Sequence, residues 1–488
     1  MTLYKKIRQL LNQSVIYGIG TIFERLLGFI LLPIFVHLLP REDYGIYTLW
    51  IAYLATIEIF YMLGMNSAII RFYADSEYSE QRKTIFSTAF LSVFALGMLL
   101  STIIFIDARL LTDILFNPQT NEIPIKIMAG VLLINALDMI ALNTLKAESR
   151  ALSFLWVSIS SGLVLLGLTL YFLIILQLGL AGALLSVLLA ACFKFVLLFF
   201  VVILRRLNFR LSIDFFKGML RFGLPFLPTV LAVALMGTID RYLLQKIAGI
   251  EVVGIYGAGY RLAMVIGLLN KTFQYAWEPF IISTYQQPHA REVFARVFTY
   301  FLLVMIFVFL FFTLFIDQIV RFQIGSTTLF TADYFQSTEV VPTLMLAFVI
   351  YGCYLNFIGG VYIRKKSYYF IIITGGGLLV NFIANMILIP LMGMQGAAWA
   401  TVLAYAVMTL WLFLVNQRFY KISYEYVRIA KLVVIAGAIL FVSRIVNLGS
   451  WNAGFDLLLL LVFPIALFAV GFFDTGEISR FREILKGM

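Results

Sequence analysis

Apolar positions run in long blocks of about 20 residues or more, separated by short polar stretches that hold most of the charge. A block of that length crosses the hydrocarbon core of a bilayer as a helix. Fourteen spans are predicted, near 13–38, 44–70, 84–106, 124–146, 151–175, 179–204, 219–245, 252–281, 297–316, 339–361, 368–390, 395–416, 427–445 and 455–473. The longest connections, 205–218, 282–296 and 317–338, are too short for a soluble domain. The expected fold class is an all-α polytopic membrane protein.

The polar stretches alternate in basic content. The N-terminus, every second loop and the C-terminus together hold 25 of the 36 Lys and Arg residues, and the opposite loops hold 5. Basic loops stay in the cytoplasm. Both termini are therefore expected there, in a multi-pass protein of the cell (inner) membrane. Lys5, Lys6 and Arg8 precede the first block, which at about 25 residues is too long for a cleaved signal. Arg205, Arg206 and Arg210 read as a topology signal, with anionic lipid as a second role.

Composition sharpens this picture. The chain of 488 residues is 62% hydrophobic and 12% charged. Soluble domains are less apolar and about twice as charged, and disordered chains have the opposite balance. A soluble enzyme, a nucleic-acid-binding domain and a disordered scaffold are excluded. The net charge of +11 is an orientation signal, so no nucleic-acid partner is expected. Cys192 and Cys353 make no disulfide framework, and His37 and His289 lack metal-ligand spacing.

The chain repeats itself. A shift of 214 residues superposes Arg150 on Arg364, Ser153 on Ser367, Gly162 on Gly376, Gly179 on Gly393 and Gly182 on Gly396. A shift of 209 superposes Gly45-Ile46-Tyr47 on Gly254-Ile255-Tyr256. Both copies enter from the same side, so the repeat is parallel. It predicts two six-helix lobes, residues 1–210 and 211–420, with spans 13 and 14 and a cytoplasmic tail over 421–488. Parallel repeats enclose a substrate path at the lobe interface.

Charged residues inside spans cost roughly 2.5–3.5 kcal/mol each at the bilayer centre, so they must face protein or water. Lys126 and Lys194 are expected to snorkel to an interface. The remainder are Glu24, Arg25, Glu58, Asp138, Asp240, Arg241, Arg261, Lys271 and Glu278, and all but Asp138 lie on spans 1, 2, 7 and 8. Lys271 and Glu278 share one helical face, and Arg261 lies about 80° from Lys271. Asn135, Asp138 and Lys146 cluster similarly in span 4. Arg25, Arg241, Arg261 and Lys271 would hold an anion, phosphate first, because guanidinium matches phosphate oxygens in a fork. Arg71 would be the entry contact. Interhelical ion pairs, such as Glu24 with Lys271 or Glu58 with Arg25, are the competing role. Pro225 and Pro228 are expected to kink span 7, and Gly375-Gly376-Gly377 to permit close helix packing.

Several segments resemble a known family: GIGTIFERLLGFILLPIFVHLLP followed by REDYGIY, then GMNSAIIRFYAD, TIDRYLLQKIAG with IEVVGIYGAGYRLA, and the paired LGLAGA and MGMQGA. In this order they resemble the polysaccharide-transporter branch of the multidrug/oligosaccharidyl-lipid/polysaccharide exporter superfamily, the O-antigen and lipid-linked oligosaccharide flippases. The resemblance covers nearly the whole chain. It implies a V-shaped, two-lobe fold that moves a polyprenyl-pyrophosphate-linked oligosaccharide from the cytoplasmic to the outer leaflet by alternating access.

On that resemblance Arg25, Arg241, Arg261 and Lys271 bind the pyrophosphate. Glu58, Asp240 and Asp138 couple transport to Na+ or H+, while Glu24 and Glu278 serve as coupling or salt-bridge acids. It implies no enzyme activity and no cofactor. It implies a functional monomer that meets membrane lipids, and a polymerase and glycosyltransferases of the same pathway as partners. The Arg25 environment, ERLLGF, also resembles the lipid II flippases, though Glu24 departs from them. A cation-coupled multidrug antiporter of the same superfamily is a further alternative. A membrane polysaccharide polymerase or ligase would want a larger external loop.

Overall fold

With no water in the bilayer core, every backbone N–H and C=O must be paired within its own segment, and long apolar blocks meet that demand as helices. The computed structural model describes residues 18, 20, 22–23, 26–116, 120–325, 327–446, 452–474 and 476–477. Among these, thirteen helices are long and apolar enough to span, and a shorter apolar helix, α1 (Leu26–Leu38), precedes them. They are α2 (Arg41–Met62), α3 (Glu77–Ile106), α4 (Ile123–Ala147), α5 (Ala151–Ile175), α6 (Gly179–Arg206), α7 (Ile213–Ala248) and α8 (Ile250–Thr284). Then follow α9 (Ala290–Val320), α10 (Ala332–Ile363), α11 (Tyr368–Met392), α12 (Met394–Phe419), α13 (Tyr426–Ile445) and α14 (Asn452–Ala469). The chain is an integral, multi-pass helical membrane protein, as its hydrophobic pattern predicts.

Local departures have local causes. The second span is not continuous: it ends at Leu63 and Gly64, both left-handed, and resumes as a short helix, Met65–Ala74. A Cβ on Gly64 would collide with the backbone of Gly223, so only glycine permits this crossing. In α7, Pro225 lies within a tight turn at Leu224–Phe226, where the helix narrows to 3-10 geometry, and Pro228 opens the α-helix that follows. α5 ends in a π-helical turn, Tyr171–Ile175, and α6 contains one near its end, Phe199–Ile203; the sequence pattern predicts neither. Gly375 faces open space, so the glycine run in α11 is not a close contact at that residue.

The helices form two compact units. The first comprises residues 1–262 and 368–404, and the second 263–367 and 405–488. Within the first, α2 lies along α7, joined by the Thr56 and Thr238 hydroxyls at 2.7 Å. The indole of Trp50 donates to Pro124 O (2.7 Å) and the Tyr53 hydroxyl to Leu115 O (2.7 Å), tying α2 to the segment that enters α4.

The repeat is visible in the backbone. Gly179 and Gly393, matched by the 214-residue shift, both adopt left-handed φ, +55° and +57°. Gly45 and Gly254, matched by the 209-residue shift, meet each other's helices. A Cβ on Gly45 would strike Ile250 O, and one on Gly254 would strike Arg41 O.

Within the second unit, Arg428 pairs with Glu477 (2.9 Å) and Glu425 (3.0 Å), and Lys431 Nζ donates to Val470 O (2.7 Å). These bonds hold the segment after α14 against α13.

Candidate functional site

In α7, Asp240 and Arg241 are adjacent and therefore about 100° apart around the helix. They face different neighbours. The Arg241 guanidinium lies 4.1 Å from the ring centre of Tyr260 on α8, and Nη1 donates to Gly237 O one turn back. The side chain is buried, and Nε has no hydrogen-bond partner. Arg261, one turn beyond Tyr256 on α8, sits among the rings of Phe35, Tyr44 and Tyr47, 5.4–5.8 Å from their centres. Its Nη1 is likewise buried without a hydrogen bond. An aromatic face holds a guanidinium in place without using up its N–H donors. Two such cations, each with a donor to spare, are suited to an anion with several oxygens.

Asp240 turns the other way, into a cage of neutral groups from α11 and α12. Its Oδ1 accepts from the amides of Asn381 (2.9 Å) and Asn385 (2.6 Å), and its Oδ2 accepts from the Thr401 hydroxyl (2.6 Å). Asn381 and Asn385 are fully buried, and the Oδ1 of each lacks a partner. Asp240 stands out in the sequence as a charge within a span, and neither asparagine does. Their four-residue spacing inside an apolar span was the available signal, because polar side chains at that depth are expensive.

Asp138 on α4 meets Lys194 of α6 at 3.4 Å, with Glu58 of α2 within electrostatic reach of both. Asp138 is 1% exposed, and neither of its carboxylate oxygens has a hydrogen bond. Lys194 thus points inward to an ion pair, correcting the expectation that it snorkels to an interface. A buried carboxylate offers its ammonium more than the headgroups do. Lys126 does reach outward, to an exposed pair with Glu122 (2.8 Å).

In the second unit, Lys271 Nζ donates to Gln274 Oε1 (3.1 Å), and Gln274 Nε2 to Glu278 Oε1 (2.7 Å). The shared face expected for Lys271 and Glu278 is present, with Gln274 as the link. Arg71 is exposed at the end of the short helix Met65–Ala74, 4.4 Å from the ring centre of Phe222. Glu24 and Arg25 lie outside the described residues. The candidate charges therefore fall into separate groups: Arg241 with Arg261, the Asp240 cage, the Asp138–Lys194–Glu58 cluster, and the Lys271–Glu278 row. Tyr44 lies within the electrostatic reach of both Arg241 and Arg261. Tyr44 and Tyr47 were missed as ring partners, since only the fold carries α2 to α8.

No curated protein matches the chain. Among solved structures it is similar to the lipid II flippase MurJ in an inward closed conformation, with a TM-score of 0.72 at 17% identity over 93% of this chain and 99% of that one. It is also similar to a multidrug resistance MATE family transporter of the MOP superfamily. The inward-facing form gives a TM-score of 0.66 at 17% identity, covering 81% of this chain and 94% of that one. The outward-facing form gives 0.59 at 16% identity, covering 84% and 95%. These neighbours are transporters and flippases, and at such identities the likeness concerns the fold. The family model for polysaccharide biosynthesis proteins matches residues 10–285, more than half of the chain. The chain belongs to the polysaccharide biosynthesis protein family and has the helical fold of MOP-superfamily transporters and flippases.

Proposed function

We propose that the protein is a flippase for a polyprenyl-pyrophosphate-linked oligosaccharide, carrying it from the cytoplasmic to the outer leaflet of the inner membrane by alternating access. The observation that carries this reading is the pair of guanidiniums, Arg241 buried and Arg261 half-buried, each laid on tyrosine rings with a buried nitrogen left without a hydrogen bond. Among the described residues neither guanidinium makes a salt bridge, and a buried cation is costly unless a ligand supplies charge; a pyrophosphate supplies two or more. Membership of a polysaccharide biosynthesis family makes a lipid-linked sugar the natural bearer of that pyrophosphate. The basic-loop asymmetry supports cytoplasmic termini.

Asp240, with Asn381, Asn385 and Thr401, is the group we assign to ion coupling. A carboxylate, two amides and a hydroxyl form an all-oxygen donor set when the amides turn, and such a set suits a hard cation such as Na+. The partners proposed are the lipid-linked substrate, bilayer lipids, and the polymerase and glycosyltransferases that act before and after export. The protein is proposed to act as a monomer, without a cofactor or catalysis of its own.

The test is export in cells lacking their own flippase for the substrate. Arg241→Ala and Arg261→Ala should each leave lipid-linked oligosaccharide on the cytoplasmic side while membrane insertion is normal. Unchanged surface polysaccharide in both variants would overturn the reading. A second reading, lipid II as substrate, is favoured by the likeness to MurJ across nearly the whole of both chains. Rescue of peptidoglycan synthesis, with no effect on surface polysaccharide, would select it.

A further inference from the structure

A groove of about 700 Å³ runs between α8 and α9, within the second unit. Leu269, Phe273 and Ala276 of α8 and Val297, Phe301 and Val304 of α9 line it. From Arg296 to Met305 it follows α9 for about 13 Å. That is close to the hydrocarbon depth of one leaflet, about 15 Å. Arg296 and Tyr300 give one end of the groove a polar rim. The Arg296 guanidinium is half-exposed and lies 3.6–3.8 Å from the carboxylates of Glu425, Asp474 and Glu477. These are ion-pair distances, and among the described residues it makes no hydrogen bond. The exposed Asp474 carboxylate likewise has only ion-pair contacts, to Arg296 and to Arg428 (3.7 Å). Charge-assisted hydrogen bonds are shorter, about 2.7–2.9 Å, so both groups can still take a ligand. Arg428 is held by Glu425 and Glu477 and lies 5.7 Å from the ring centre of Tyr300, which joins the groove to the charges.

We propose that this groove is a phospholipid site selective for a primary-amine headgroup, of the phosphatidylethanolamine class. One acyl chain fills the groove, the phosphate accepts from Arg296, and the ammonium donates to Asp474. Charge complementarity selects the headgroup. Three carboxylates stand against two guanidiniums in the network, and Lys431 is engaged by the carbonyls of Val470 and Gly471. An anionic headgroup gains Arg296 but is repelled by the carboxylates around it. A polyprenyl pyrophosphate, with two or more negative charges, is opposed more strongly, which sets this groove apart from the substrate path. A choline headgroup has the net charge of an ethanolamine one but no N–H to give to Asp474. A phosphate and an ammonium carried close together on one headgroup meet both open groups. On the orientation proposed above, the bound lipid belongs to the cytoplasmic leaflet. It ties α9 to the segment after α14, because the Arg296–Asp474 contact then passes through the headgroup. The proposal does not depend on the identity of the transported substrate.

Native mass spectrometry of the purified full-length protein tests this. The protein is equilibrated with equal amounts of phosphatidylethanolamine, phosphatidylcholine and phosphatidylglycerol that carry the same acyl chains. The ratio of bound lipids is read, because a loss of folded protein lowers all three alike. The wild type should prefer the ethanolamine lipid over each of the others by about tenfold, the effect of one charge-assisted hydrogen bond. Asp474→Asn should bring the ethanolamine-to-choline ratio close to one and raise the share of phosphatidylglycerol. Arg296→Gln should lower occupancy by all three. Val297→Trp, which fills the groove and leaves both headgroup contacts in place, should do the same. An unchanged ethanolamine-to-choline ratio in Asp474→Asn would overturn the proposal, as would a wild type that binds the three lipids equally or prefers phosphatidylglycerol. Displacement of the ethanolamine lipid by added polyprenyl pyrophosphate would assign the groove to the substrate's tail and overturn it too.

Discussion

Asp138 and Asp240 are the same residue, each 1% exposed and each deep in a span. Their surroundings differ in kind. Asp240 is met by two amides and a hydroxyl, all neutral, while Asp138 is met by a lysine and no hydrogen bond. The two do not correspond in the repeat. The 214-residue shift sets Gly352 opposite Asp138, and the 209-residue shift sets Leu31 opposite Asp240. The matched glycines thus share a left-handed turn or a helix crossing, while the two aspartates have no such counterpart. Backbone geometry is what duplication preserves, because a left-handed turn or a close crossing tolerates glycine and little else.

The largest effect should come from unbalancing the ion-paired aspartate. Lys194→Leu leaves Asp138 and Glu58 without their shared cation and should cost about 3–5 kcal/mol, measured by chemical denaturation in micelles. Removing both partners, as Asp138→Leu with Lys194→Leu, should recover most of that loss. Equal losses in the single and double variants would show that the pair is not what distinguishes this aspartate.

The neutral cage should respond differently. Thr401→Val removes one donor to a charged acceptor and should cost about 1.5–3 kcal/mol. Sodium should raise the unfolding temperature of the wild type and fail to do so for Thr401→Val. A sodium effect that survives in Asp240→Asn would remove the cage as the cation site.

The shared frame can be broken separately. Gly45→Val drives a side chain into Ile250 O and should cost about 1–3 kcal/mol. Gly254→Val should match it, because Arg41 O stands in the equivalent place.

The smallest effect concerns one polar tie in each half, at the turn after α4 and within the last turn of α10. In the first, Glu148 accepts from Arg206 and from the Tyr73 hydroxyl (2.7 Å). In the second, Asn416 Oδ1 accepts from the Gly360 N–H (2.5 Å). Burial alone would raise the Glu148 carboxyl, but Arg206 and Tyr73 outweigh it and hold it below its ordinary value of 4.5. A depressed carboxyl stabilises the fold above its unfolded value, and that contribution is lost as pH falls through the folded one. Melting followed against pH should therefore lose an acid-sensitive component in Glu148→Gln. Asn416→Ala should lower stability equally at every pH.

Much of this was legible in the chain. The spans could be read because each is a local run whose length is set by the bilayer, and thirteen of them appear as long apolar helices. The glycine pairs were legible because backbone constraints leave the same residue in both copies. Arg241, Arg261, Asp138 and Asp240 could be singled out because a charge in an apolar run is conspicuous. Their partners could not. Lys194 looked like an interfacial lysine, and nothing in the sequence marked Asn381, Asn385, Tyr44 or Tyr47 as partners of these charges. Each acquires its role from a residue 56 to 217 positions away in the chain, and no periodicity reports such distances.

The sequence by itself determined what must be buried, how many helices hide it and which charges pay for being there. Only the tertiary structure decided which charge meets which partner. Lateral packing of helices in a bilayer depends on the fit of whole faces, and in that fit a neutral cage and an ion pair emerge from the same residue.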